Sequence, residues 1–202
     1  MAGGAGRVIA GSASGRRLSA PGPGTRPLTD RVKQTLFAIL EADLPGSGFL
    51  DLCAGTGAGG IEALSRGARL AVFVERDGRA CQVIAENLQR TGLAGPAAVI
   101  VRADALAWLD RAARPDGERW RGPFDVVLID PPYDEAPLLE AILAALGGQA
   151  GERLLDPAAT VVAKHFWRDA PPARIGLLGS TRERRFGETA LTFYRRAGTE
   201  DG

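Results

Sequence analysis

The chain has 202 residues, enough to bury a complete core as one domain with at most a small appendage, and 45% apolar with 24% charged residues is an ordinary globular composition. No apolar run approaches the roughly 20 residues that span a bilayer, and the opening "MAGGAGRVIAGSASGRR" lacks the apolar stretch of a secretion signal, so a cytoplasmic protein is expected. The net charge of +1 is uneven: residues 1–37 carry six basic groups against Asp30 alone, a local charge of +5, which marks that end as a candidate polyanion-binding surface.

In chain order, "RVIAG" and "GRRLSA" read as a hairpin, followed by the linker "PGPGTRP". Thr29 or Asp30 caps a predicted helix through "RVKQTLFAIL". Strand "GFLDL" and helix "GIEALSRG" follow, then strand "LAVFVE" and helix "GRACQVIAENLQRTG". The alternation continues with strand "AAVIVRA", helix "ALAWLDRAA", strand "FDVVLID" and helix "APLLEAILAAL". Late strands are expected in "ATVVAKHF", "ARIGLLG" and "ALTFYRR". Near-continuous apolar strands alternating with helices indicate an α/β fold with a mostly parallel sheet covered on both faces. The expected division is residues 1–27 as hairpin and linker, 28–197 as the main domain and 198–202 as a tail. Cys53 and Cys81 are too far apart for a metal or redox pair and read as small core residues.

Ligands of open parallel sheets bind beyond the carboxyl ends of the strands. Asp51, Glu75, Asp104 and Asp130 each end or follow one of four successive strands, so all four are expected at one crevice. "FLDLCAGTGAGG" literally satisfies G-x-G-x-x-G through Gly55, Gly57 and Gly60. A dinucleotide would bring its pyrophosphate against that turn, where amides favour an anion. Asp51, four residues ahead of Gly55, opposes an anion and suits a cationic ligand. S-adenosylmethionine carries a sulfonium and an ammonium, has no phosphate, and offers a ribose diol to an acid at Glu75.

"IDPPYD" supplies a matching chemistry. An exocyclic amine on a base is a poor nucleophile because its lone pair is delocalised into the ring. The carboxylate of Asp130 and the carbonyl of Pro131 accept from the amino hydrogens, orienting the lone pair and stabilising the positive charge that develops. Pro131 and Pro132 stiffen the backbone and bring no N–H to compete, and Tyr133 supplies a ring for an extruded base.

Taken together these stretches resemble a known family: the bacterial methyltransferases, of the RsmD type, that modify the N2 amino group of one guanine in small-subunit ribosomal RNA. The resemblance covers most of the chain, through "RVIAGSASGRRL", "RPLTDRVKQTLF", "LDLCAGTGAGGIEALSRGA", "VFVERD", "FDVVLIDPPY" and "RRFGETALTFYR". It implies a seven-stranded Rossmann-like, class I S-adenosylmethionine-dependent methyltransferase domain with a reversed last strand and a small N-terminal β-hairpin. It also implies that Asp51, Gly55 and Gly57, beside Ala54, line the methionine part of the cofactor, that Glu75 with Arg76 meets the ribose, and that Asp104 with Ala105 meets the adenine. Asp130, Pro131, Pro132 and Tyr133 form its catalytic loop. Two positions depart from the pattern: Lys164 stands where relatives often carry Glu, and Leu28 where Thr is usual.

The resemblance implies 16S rRNA as partner, within an assembled small subunit. Arg7, Arg16, Arg17, Arg26, Arg31 and Arg185 are the candidate RNA-binding residues, serving phosphates rather than base identity. A monomer is the simplest expectation, with no metal and no covalent enzyme intermediate. His165, the single histidine, and Trp108, Trp120 and Trp167 read as structural groups, while Phe186, placed in a basic loop, is balanced between base contact and packing. Three alternatives stay open: an adenine-N6 methyltransferase on DNA or RNA, an NAD-dependent dehydrogenase, which Asp51 opposes, and a noncatalytic RNA-binding assembly factor, which the intact "DPPY" opposes.

Overall fold

The computed structural model describes residues 6–20, 28–114, 122–132 and 135–196. They fall into two compact units, Met1–Asp104 and Ala105–Gly202.

In the first unit a helix, α1 (Asp30–Ile39), precedes three strands, β1 (Gly48–Leu52), β2 (Leu70–Glu75) and β3 (Ala98–Arg102). Helix α2 (Ala58–Ser65) connects β1 to β2 and α3 (Gly78–Thr91) connects β2 to β3. Both strand pairs are parallel, with Leu50 opposite Val72 and Phe73 opposite Ile100. Every residue of β1 and β2 is buried, which is why their sequences run apolar without alternation. Helix α1 begins at a cap that the sequence reading names, Thr29, which accepts the Val32 N–H, and α3 begins after Asp77, which accepts the Arg79 N–H at 2.8 Å. Helix α3 ends at Gly92, whose φ of 74° lets the chain leave through a left-handed residue.

The expected N-terminal hairpin contracts to a single bridge, Arg7 to Arg17, with the Val8 N–H donating to the Arg16 carbonyl at 2.9 Å. The Leu18 N–H donates to the Gly6 carbonyl at 3.0 Å and the Gly15 N–H to the Val8 carbonyl at 2.9 Å, and between these ends side chains of a helix take the backbone groups instead. Glu62 of α2, wholly buried, accepts the Ile9 and Ala10 N–H groups at 2.7 and 3.0 Å and the Arg66 Nε at 2.8 Å. Ser65 accepts the Ala13 N–H and donates to the Ala10 carbonyl, and Gly11 lies so close that a Cβ there would sit 1.8 Å from the Ser65 carbonyl oxygen. Lys33 corrects the sequence reading: counted among the basic groups of this end, it is fully buried, donates to the Arg7 carbonyl and pairs with Asp30 at 3.8 Å. Burial pushes its ammonium below the ordinary lysine range, against the opposing pull of Glu62 and Asp30.

The second unit carries α4 (Ala105–Ala113), β4 (Phe124–Ile129), α5 (Ala136–Leu146), α6 (Gln149–Leu154), β5 (Leu155–Phe166), β6 (Arg174–Ile175), β7 (Leu178–Phe186) and β8 (Thr189–Arg196). Strand β4 is parallel to β5; β5 with β8, β8 with β7 and β7 with β6 are antiparallel. Eight strands are therefore present among the described residues rather than the seven expected. "ARIGLLG" splits into β6 and β7 at a two-residue turn, where Gly176 has φ 55° and a Cβ would meet the Gly147 carbonyl oxygen at 2.0 Å. The stretch Arg182–Arg185, read as a basic loop, is the outer part of β7, paired with β8 up to Phe186 opposite Thr189. Its side chains are exposed and charged, so no apolar alternation announced a strand, and such charge is how natural edge strands avoid pairing further. Among the described residues no helix is long and apolar enough to cross a membrane, and no group of three acidic, histidine or cysteine side chains could hold a metal ion.

Glu62→Ala strips two backbone amides and a guanidinium of their shared acceptor. It is expected to destabilise the protein by about 3 kcal/mol, the low end for breaking a buried charged network, and to raise hydrogen exchange at Ile9 and Ala10; unchanged exchange there would show that Glu62 does not hold this segment.

Candidate active site

Strand β1 delivers Asp51 to the start of the glycine loop. The carboxylate is buried, 2% exposed, and its Oδ2 accepts the Gly60 N–H at 2.8 Å. Gly60 is the third residue of α2, so Asp51 satisfies one of the orphan amides of that helix from across the loop. The positive end of α2, which in a dinucleotide fold would receive the pyrophosphate, thus already faces a carboxylate of the protein itself. Gly60 serves a second purpose: it lies under the Phe73 ring, where a Cβ would come within 2.3 Å. Of the three glycines in the motif, this one is fixed by packing of helix on strand.

The loop bends through three left-handed residues, Cys53 (φ 61°), Gly55 (φ 55°) and Gly57 (φ 74°). Glycine pays nothing for this conformation, whereas for Cys53 it is a strained one. Cys53, expected in the core, is half-buried, and its strain has no sequence signal because a cysteine does not mark a positive φ. Ala54 is buried and its N–H donates to the Val74 carbonyl at 3.1 Å. Glu75, at the end of β2, accepts the Gly55 N–H through Oε2 and the Asp77 N–H through Oε1, both at 2.8 Å. One carboxylate therefore ties the glycine loop to the start of α3, and each of its oxygens retains acceptor capacity for a further donor. Asn87 of α3 adds a second tie, its Nδ2 donating to the Thr56 and Ser19 carbonyls at 3.0 Å.

Arg76 and Asp104 are exposed, and Ala105 is buried at the first position of α4. Cys81, expected in the core, is half-buried with its thiol 3.5 Å from the Glu75 carbonyl oxygen; burial, followed by the charge of Glu75, pushes the thiol up, which makes it a poor nucleophile.

In the second unit Asp130 directly follows β4, half-buried, with Pro131 buried and Pro132 exposed. The register that places Ile129 opposite Ala163 brings Lys164 of β5 beside Asp130, and the Lys164 ammonium forms an ion pair with Asp130 Oδ1. Nothing in the sequence signalled this partnership. Pro131, Pro132, Leu139, Lys164, Phe166 and Pro171 are among the residues lining a cleft of about 220 Å³. Tyr133 lies outside the described residues. The neighbouring His165 is a structural group, its Nε2 and Nδ1 each 2.8 Å from Thr192 Oγ1 and the Phe166 carbonyl oxygen.

The basic candidates divide. Arg7 pairs with Asp30 at 3.4 Å and Arg16 donates to the Arg90 carbonyl at 2.9 Å, both from exposed positions, and Arg17 and Arg31 are exposed as well. Arg26 lies outside the described residues, as does Trp120. Trp108 is wholly buried; Trp167 is half-buried, with the Arg185 and Arg168 guanidinium carbons 3.5 and 4.8 Å from its ring centroid. Phe186 ends β7 at the turn into β8.

Comparison with known proteins gives these features a setting. The family model described as Conserved hypothetical protein 95 matches residues 6–195. Bacillus subtilis (strain 168) YlbH, provisionally named an rRNA methyltransferase, is 38% identical over 193 residues, 95% of this chain and 100% of its own. Ribosomal RNA small subunit methyltransferase D of Escherichia coli (strain K12) is 39% identical over 137 residues, 67% of this chain and 64% of that protein. The solved structure of Escherichia coli yhhF, provisionally named a methyltransferase, superposes with a TM-score of 0.76 at 32% identity, over 94% of this chain and 97% of that one. These likenesses bear out the α/β class expected from the alternating pattern and the Rossmann-like methyltransferase class that the resemblance implies, and the chain belongs to the Conserved hypothetical protein 95 family, alongside the RsmD-type methyltransferases.

Proposed function

We propose that this protein is an S-adenosylmethionine-dependent methyltransferase acting on the exocyclic N2 amino group of a guanine in 16S rRNA, presented in the small ribosomal subunit. The observation that carries the reading is Asp51 on the Gly60 amide: the helix end that would bind pyrophosphate is taken by a carboxylate, so the loop suits a ligand without phosphate. S-adenosylmethionine meets that demand and supplies an electrophilic methyl group on a sulfonium. Asp51, Ala54, Gly55 and Gly57 would hold its methionine part, Glu75 and Arg76 its ribose, and Asp104 and Ala105 its adenine. Glu75 fits the diol because a carboxylate that already accepts from Gly55 and Asp77 is held in one orientation.

On the acceptor side Asp130 and the Pro131 carbonyl would take the two amino hydrogens, turning the nitrogen lone pair out of conjugation, with Tyr133 stacking on the extruded base. The names of the similar proteins carry rRNA as substrate, and a guanine in an unpaired loop is the acceptor most readily splayed out. Residues 1–27 would meet the RNA backbone from the N-terminal side, through Arg17 and Arg26 with Arg31 just beyond, and Arg185 from β7. The active form would be a cytoplasmic monomer. Adenine-N6 methylation is the second reading, since the same tetrapeptide chemistry serves either amine.

Mapping methylated nucleotides in small-subunit RNA from cells with and without this protein tests the assignment: one N2-methylguanine should disappear with the gene, and an N6-methyladenine lost in its place would move the reading to adenine. Asp51→Ala leaves the Gly60 amide without its carboxylate, and S-adenosylmethionine affinity measured by calorimetry should fall by about tenfold, the ~1.4 kcal/mol scale of a lost buried hydrogen bond; tight NADH binding by the unaltered protein would instead favour a dehydrogenase. Arg17→Ala and Arg31→Ala should each lower the salt dependence of RNA binding by about one unit of slope while donor affinity holds. An unchanged slope would remove those arginines from the interface.

A further inference from the structure

The ion pair between Lys164 and Asp130 places a cation beside the carboxylate on which amine recognition depends. Side-chain exposure is 8% for Lys164 and 17% for Asp130, so the pair is largely withdrawn from solvent and its geometry is not that of a surface contact. Both partners stand on rigid backbone. Asp130 directly follows β4, and Lys164 lies within β5, between Val162 paired to Leu128 and His165, whose two ring nitrogens are both engaged. The loop after β5 is fastened as well, the Tyr194 hydroxyl donating to the Pro172 carbonyl at 2.9 Å. Lys164 also lines the cleft alongside Pro131 and Pro132.

Two effects of this ammonium oppose each other. Its charge disfavours the positive charge that builds on an amine during methyl transfer, so by that effect alone its removal would speed the reaction. Its hydrogen bond fixes the Asp130 carboxylate, which is otherwise free to turn about its side-chain torsions, and leaves Oδ2 as the oxygen offered to the amine. Attack by a delocalised nitrogen depends steeply on the direction of its lone pair, and misplacement of about 1 Å costs roughly a hundredfold in rate. The ammonium and the carboxylate also neutralise one another, so the repulsion felt by a nearby cation is that of a dipole rather than of a full charge. Orientation is therefore the larger effect.

We propose that Lys164 is a positioning residue: by holding Asp130 Oδ1 it sets the plane of the carboxylate and directs the acceptor amine to Oδ2. This rests on the amino-methylation reading given above.

The test uses the full chain with small ribosomal subunits as acceptor, rates being expressed per S-adenosylmethionine-binding site so that partial unfolding does not enter. Lys164→Met should lower kcat roughly ten- to hundredfold, the range expected for a misdirected catalytic group, with donor affinity and acceptor KM unchanged. Lys164→Arg, which keeps a cation on Oδ1, should retain more of kcat than the Met variant. A Met variant with kcat equal to or above that of the unaltered protein would overturn the proposal, as would an Arg variant no better than Met. Should the Met variant lose donor binding altogether, Lys164→Gln decides in its place: a side chain too short to reach Oδ1 should lower kcat, and an undiminished kcat refutes the role. If the unaltered protein methylates no RNA amine, it is the underlying reading that fails, since that outcome precedes any comparison of variants.

Discussion

The hydrogen bond from the Gly60 amide to Asp51 organises the first unit. It joins the end of β1 to the first turn of α2, so the loop between them must close on itself, and the left-handed residues Cys53, Gly55 and Gly57 are the means by which it does so. Because the carboxylate sits at the positive end of a helix, it is stabilised there without a bulk-solvent contact, and because it sits there, a phosphate cannot. The same bond also sets the distance between α2 and the sheet. A side chain at Gly60 would strike Phe73, so the helix lies close enough on β2 for all eight of its residues to be buried.

That close seating propagates outward through buried polar side chains. Glu62, two residues on from Gly60, is wholly enclosed, and an enclosed carboxylate requires donors; the Ile9 and Ala10 amides and Arg66 provide them. Asn87 on α3 does the same for Ser19 and Thr56, so one amide side chain links the N-terminal segment to the glycine loop. The N-terminal segment is therefore held by side-chain acceptors on helices in addition to its own short backbone pairing around the Arg7–Arg17 bridge. The two arginines nearest these anchors, Arg7 and Arg16, each have a partner within the chain yet stay exposed. Among the described basic groups of this end Lys33 is buried, while Arg7, Arg16, Arg17 and Arg31 are exposed, so the surface charge is smaller than the raw sequence charge by that lysine.

Both candidate loops follow the same construction: an acidic residue at the carboxyl end of a buried strand, held by a donor from the neighbouring element. Asp51 is held by a backbone amide and Glu75 by two, whereas Asp130 is held by a side chain, Lys164. Backbone donors follow automatically once the loop has its shape. A lysine donor is instead a choice of residue, independent of the loop's shape.

The sequence by itself determined the order and kind of nearly every element, because buried strands read as apolar runs and a cap such as Thr29 marks a helix start within a residue or two. It also determined which acids stand at strand ends, since a motif such as "IDPPY" is a local property of the chain. Helix α6 and the charged outer part of β7 escaped notice, one being a single short turn-like segment after two glycines and the other an edge strand whose exposed face carries no period-two signal. What only the tertiary structure decided is where the charges go. Lys33 counts as a surface cation in composition yet is buried under the N-terminal segment; Lys164 lies 34 residues from the carboxylate it holds; Glu62, in the middle of an apolar helix, secures backbone 52 and 53 residues away. Local pattern fixes what a residue is and which face it occupies, but a buried ion takes its partner from whatever the fold brings within hydrogen-bonding reach, and that is a property of distance in space.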